Sequence, residues 1–187
     1  MGIIYIKIRQ CFVRKMHNRS GGKMEHEDAG SQIKKLVEVN AGDILCSSGM
    51  QSEKQYIQHG EVNCYDHSVA VAYTSVAIAF RLRFNVDMQS MVRGALLHDY
   101  FLYDWHDPDK GHRFHGFIHA GRALENAERD FVLSDIERDI ISKHMFPMNP
   151  KPPRYVESIV VTLADKICTL HEILPFALLS KHTKTLK

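Results

Sequence analysis

Long apolar runs are missing from this chain. The longest nearly uncharged stretch, Ser68 to Phe80, is too short for a bilayer and contains Ser and Thr, so no membrane segment is expected. Cysteine is scarce, and Cys11, Cys46, Cys64 and Cys168 form no CxxC pair. That spacing argues against a disulfide framework and for reduced thiols in a cytoplasmic protein. Acid is absent from residues 1–24, which hold Lys7, Arg9, Arg14, Lys15, Arg19 and Lys23. No long apolar region follows those charges, which excludes a secretory signal. Residues 1–24 read as a basic, poorly ordered leader closing at Ser20-Gly21-Gly22, and 25–187 as one globular domain. The net charge of +2 hides this asymmetry, because the remainder has 18 basic against 22 acidic residues. A body at −4 has no electrostatic footprint for nucleic acid. The expected partner is a small molecule, with no nucleic acid and no membrane; the oligomeric state is not legible.

Strand-like alternation and internal repeats are also lacking. What is present is helical periodicity, in a chain of 187 residues that is 44% hydrophobic and able to bury one core. Ile33, Leu36, Val37, Ile44 and Leu45 suggest a first helix, with a short one near Gln51 to Gln58. Asp66 is a candidate N-cap for a helix running to about Arg83. Residues 88, 91, 92, 95 and 96 are apolar at the spacing of one buried face, predicting a helix from Asp87 to Asp99. Residues 103–112 read as loop and His115 to Arg129 as helix. Ser134 and Glu137 form a capping box for a helix carrying Ile136, Ile140, Ile141 and His144 on one face. Prolines at 147, 150, 152 and 153 stop it. A last helix runs from about Tyr155 to Leu174, where Pro175 interrupts; it is apolar nearly all round, so a central position is expected. The fold class is all-α.

Into these apolar faces the sequence sets groups that burial penalises. His98-Asp99 ends the stripe that begins at Met88. Asp165 sits on a face with Val161 and Cys168, where a lone carboxylate needs a cation; a metal or an arginine such as Arg93 would serve. His67 stands in the first turn of an apolar helix, as a capping or surface histidine or as a ligand. Together His67, His98, Asp99 and Asp165 make a mixed imidazole and carboxylate set suited to Fe, Mn, Co, Zn or Mg.

In this order and helical setting, the four residues resemble the HD superfamily of metal-dependent phosphohydrolases, over roughly residues 60 to 175. The resemblance implies a single-domain helical bundle of five or more helices with the metal site between them. It also implies hydrolysis of a phosphomonoester or phosphodiester, commonly in a nucleotide. Some members bind a second metal through histidines between the His-Asp pair and the final Asp. His144 should point inward from its helix, and His115 and His119 share a helical face. The family has small residues at about +4, +5 and +8 after that histidine. His119 fits with Ala120 beside it, Ala123 and Ala127; His115 fits less well and becomes a second ligand or a substrate contact.

On that resemblance one or two divalent ions are expected, with Asp99 bridging them and, with His98, orienting a metal-activated hydroxide. Lys143, Lys166, His112, Arg113 and Arg154 are candidate cations for the phosphate. The lysine that often follows His-Asp is absent: Tyr100-Phe-Leu-Tyr-Asp-Trp-His106 stands there. No Gly-Tyr-Pro follows His144, so cyclic di-GMP hydrolysis is not supported. Tyr103, Trp105 and His106 either wall a pocket or pack the loop. Two other functions fit the same ligands: a di-iron oxygenase and a non-catalytic module that senses a nucleotide.

Overall fold

The computed structural model describes residues 29–104 and 115–184, with backbone alone at 115–117 and 175–184. The leader, Trp105, His106, His112, Arg113 and the side chain of His115 therefore lie outside the described residues. Among the described residues there are seven α-helices and one small hairpin, an all-α fold.

Helix α1 (Ala29–Leu45) bends at Ala41, whose backbone leaves helical geometry. Helix α2 (Ser48–Ser52) starts at Ser47, whose hydroxyl accepts from the Met50 amide. A single turn at Glu53–Gln55 leads to the antiparallel pair β1 (Ile57–His59) and β2 (Val62–Asn63), joined through Gly60 at φ 60°. The sequence gives no sign of these strands, because three and two residues are too few to establish alternation. The short helix expected near Gln51 to Gln58 is displaced: helical turns occupy Ser48–Ser52 and Glu53–Gln55, and Ile57–His59 is strand.

Helix α3 (Cys64–Leu82) is capped by Asn63, whose side chain accepts from the Asp66 amide at 2.8 Å. Asp66 is thus inside the first turn, not the cap. The hairpin delivers Asn63 in the extended conformation that an N-cap requires. Helix α4 (Met88–Leu97) is capped by Asp87, which accepts from Ser90. Helix α5 (His115–Asp130) follows, and helix α6 (Asp135–Lys143) begins with the Ser134/Glu137 capping box. Helix α7 (Val156–Lys184) runs through Pro175. A proline removes one ladder donor and here does not end the helix.

The central helix is α4, packed on α1, α3, α5, α6 and α7. Its Met91, Val92, Ala95 and Leu96 meet Val71 and Val76 of α3, Ile140 and Ile141 of α6, and Val160 and Val161 of α7 in one core. Helix α7 is not central: Ile159, Leu163 and Leu170 are about half exposed. Gly94 lies where α4 meets α6, and a Cβ there would stand 2.5 Å from Ile140 Cδ1. Gly94→Ala is expected to destabilise the protein by about 1–3 kcal/mol through overpacking, read by denaturant unfolding; an unchanged midpoint would contradict this packing.

Candidate metal centre

Five helix segments converge on one buried point. The first turn of α3 contributes His67, the C-terminal end of α4 contributes His98 and Asp99, and α5 contributes His119. His144 caps α6, and Asp165 lies mid-way along α7. All six are buried.

Their ligand atoms fall into two groups. His67 Nε2 lies 3.2 Å and His98 Nε2 3.7 Å from Asp165 Oδ1. His119 Nε2 and His144 Nε2 lie 3.3 and 3.4 Å from Asp99 Oδ1, and 2.9 Å from each other. In each group the donor atoms lie within 4.8 Å of one another, close enough to share an ion. Asp99 joins the groups: its Oδ1 faces His119 and His144, while Oδ2 lies 3.3 Å from His98 Nε2 and 3.8 Å from His67 Nε2.

The far side of each ring fixes what the near side offers. His98 Nδ1 donates to the Ala95 carbonyl at 2.8 Å, and His144 Nδ1 to the Ile141 carbonyl at 2.9 Å. A neutral imidazole that donates from Nδ1 presents a lone pair at Nε2. His67 Nδ1 meets both oxygens of Glu172, at 2.9 and 3.1 Å. His67 and His98 therefore aim Nε2 toward Asp165, and His144 aims its Nε2 toward Asp99 Oδ1. His67 Nε2, His98 Nε2 and Asp99 Oδ1 have no aligned hydrogen-bond partner although buried. Orphaned polar atoms are costly in a protein interior; a divalent cation in the first group would satisfy the two imidazoles, and one in the second would satisfy Asp99 Oδ1. The residues present fit such an ion.

The electrostatics have the same sense. Burial raises the Asp99 carboxyl, but His98, His144 and His119 outweigh it and hold the group well below the usual carboxylate range. Asp165 is likewise raised by burial and brought down further by His67 and His98. Burial lowers His67, yet Asp165 and Glu172 push it up to about 9. Without metal, protons occupy the place that a cation would take.

Three neighbours were not anticipated from the sequence. Glu172 lies seven residues beyond Asp165 on α7, a spacing that keeps both on one helical face. Gln58 Nε2, from β1, donates to Asp99 Oδ2, and Gln58 Oε1 accepts weakly from the Cys64 thiol at 3.4 Å. Glu53 is fully buried with neither carboxylate oxygen hydrogen-bonded; burial, then Asp99, raise it well above the carboxylate range. Arg93, considered as a partner for Asp165, pairs with Asp43 and Glu137 at 2.7 Å instead.

The candidate phosphate cations are placed less favourably. Lys143 is held by Asp139, one turn back on α6. Lys166 Nζ donates to the His144 carbonyl at 3.2 Å. Arg154 lies over the Tyr155 ring. His112 and Arg113 are outside the described residues.

Residues 64–170, more than half of the chain, match the family model for the HD domain. The chain belongs to the HD domain family. The HD match begins at the first residue of α3 and takes in all six converging residues, while Glu53, Gln58 and Glu172 lie outside it. Comparison with curated proteins and with solved structures finds no match. Membership in the HD superfamily of metal-dependent phosphohydrolases, with the buried His/Asp groups, points to divalent-metal binding. No helix among the described residues is long and apolar enough to cross a membrane.

Proposed function

We propose that this HD protein is a metal-dependent phosphohydrolase acting on a small phosphate ester, with a nucleotide as the favoured class. The observation that carries the reading is Asp99, whose two oxygens face two separate imidazole pairs. His67, His98 and Asp165 would hold one ion, His119 and His144 the other, and Asp99 would be shared. When bound, such ions lower the pKa of a coordinated water and polarise a phosphoryl oxygen. The protein's part is to fix that geometry. Gln58 steadies Asp99 Oδ2, the Ala95 and Ile141 carbonyls fix two rings, and Lys166 ties α7 to the end of α6.

The substrate phosphate would meet Arg122 and Tyr103. Arg122 lies one turn beyond His119 on α5, and its guanidinium sits 4.9 Å from the Tyr103 ring centre. Among the described residues it makes no ion pair. The Phe101 ring lies between, 4.9 Å from Tyr103 and 6.1 Å from His119. Burial raises the Tyr103 phenol, so it stays protonated and can donate to a phosphate oxygen. An arginine fork suits a phosphate better than the lysines already engaged elsewhere.

The test is phosphate release by protein loaded separately with Mn, Co, Zn, Mg or Fe, over nucleotides and simple phosphate esters. Metal-dependent release that a chelator stops is expected. Arg122→Ala should raise KM roughly ten- to hundredfold, the worth of one charged hydrogen bond, and leave metal content unchanged. A fully loaded protein that releases phosphate from no ester sinks the reading. Oxygen uptake by the iron form without phosphate release would select the oxygenase, and tight nucleotide binding without product the sensing module.

A further inference from the structure

We infer that Glu172 is a positioning residue for the metal centre: its carboxylate holds His67 in the Nδ1–H tautomer and so controls loading of the His67/His98/Asp165 position alone. This rests on the metal-centre reading above. The contact crosses the fold, from the fourth residue of α3 to a point two turns beyond Asp165 on α7, and both ends are buried. Both carboxylate oxygens lie within hydrogen-bond distance of Nδ1, at 2.9 and 3.1 Å. With Nδ1 donating, the lone pair of His67 is at Nε2, on the side where Asp165 Oδ1 stands at 3.2 Å.

The three rings whose far side is described are not held alike. His98 and His144 each donate to a backbone carbonyl three residues earlier in their own helix, a neutral and local partner. His67 alone is held by a carboxylate, and from another helix. An anion behind an imidazole makes the ring a stronger donor to a cation than a carbonyl does. The charge distribution has the same bias. Asp165 belongs to the first group and Glu172 stands behind its His67, whereas the carboxylate that the second group contains among the described residues is Asp99. His59 stands edge-on to the His67 ring, with the centroids 5.5 Å apart. Glu172 lies two residues beyond the end of the HD match.

Titration of metal-stripped protein with Co²⁺, followed by its visible absorption and by calorimetry, tests the inference. Wild type is expected to bind in two steps. Glu172→Ala should weaken one step by roughly ten- to a hundredfold, the usual cost of losing an outer partner of a ligand histidine. The other step, identified as the one lost in His144→Ala, should keep its affinity and absorption. Glu172→Gln retains an acceptor without the charge and should fall between wild type and Glu172→Ala; where the alanine variant does not fold, the glutamine variant carries the comparison. Folding of each metal-free variant is read from its melting curve. Two wild-type steps in all Glu172 variants overturn the inference and leave the metal centre standing. Wild type that takes up no cobalt overturns both.

Discussion

Asp99→Ala is expected to lose both metal positions at once and to cut phosphate release at least ~100-fold, the scale of removing a single electrostatic stabiliser from an active site. The reason is geometric. Oδ1 completes the His119/His144 group, and Oδ2 lies beside His98 and His67. No other carboxylate among the described residues faces both groups, so none can take over. His144→Ala, by contrast, removes one ligand from one group and should leave the other ion in place. Asp99→Asn separates charge from shape: it can still accept from Gln58, but its amide is a poor bridge between two cations. Metal content measured alongside turnover decides the matter. Two ions per chain in Asp99→Ala, or wild-type phosphate release, would remove Asp99 from the centre of the mechanism.

His98, Asp99 and Asp165 were legible because each sits where helical periodicity demands an apolar side chain, whereas His119 and His144 were singled out through the resemblance to the HD superfamily. His98 and Asp99 prolong the stripe of Met91, Val92, Ala95 and Leu96, and His144 follows Ile140 and Ile141. A polar group on a core face either finds a partner or holds something, and that logic needs only local sequence. Glu172 and Gln58 escaped it because their partners are 105 and 41 residues away, and nothing local marks an acid or an amide as bound across the fold. The cations escaped it for a different reason. Lys143 adjoins His144 in sequence, but one step along a helix turns the side chain about 100° away, and there it finds Asp139. Helix α7 misled by composition: apolar nearly all round, it reads as central, yet Ile159, Leu163 and Leu170 line an exposed side.

Metal-free protein is expected to lose stability as pH rises from about 6.5 to 9, while metal-loaded protein does not. His67 has an ordinary value of 6.5 and is pushed up to about 9 in the fold, where burial opposes the shift and Asp165 and Glu172 more than reverse it. A group whose folded value is raised contributes stability that is complete below its unfolded value and vanishes as pH passes through the folded one. The gap corresponds to something on the order of 3 kcal/mol, attributed once to His67 because the same contact lowers Asp165. For a chain of this size that is a fall in Tm of roughly 6–12 °C between the two pH values. Asp99 and Asp165 are depressed, so their contribution is present above 3.8 and lost as pH falls, which bounds the metal-free optimum on the acid side. The loaded protein behaves in the opposite sense on the alkaline side. A ligated imidazole must be deprotonated, so binding strengthens as protons leave and replaces the imidazolium contacts that are being lost. Melting curves of stripped and loaded protein at pH 6, 7, 8 and 9 should therefore diverge, and His67→Gln should flatten the stripped series. Parallel curves would mean that the imidazoles and carboxylates of this cluster are not exchanging protons for metal.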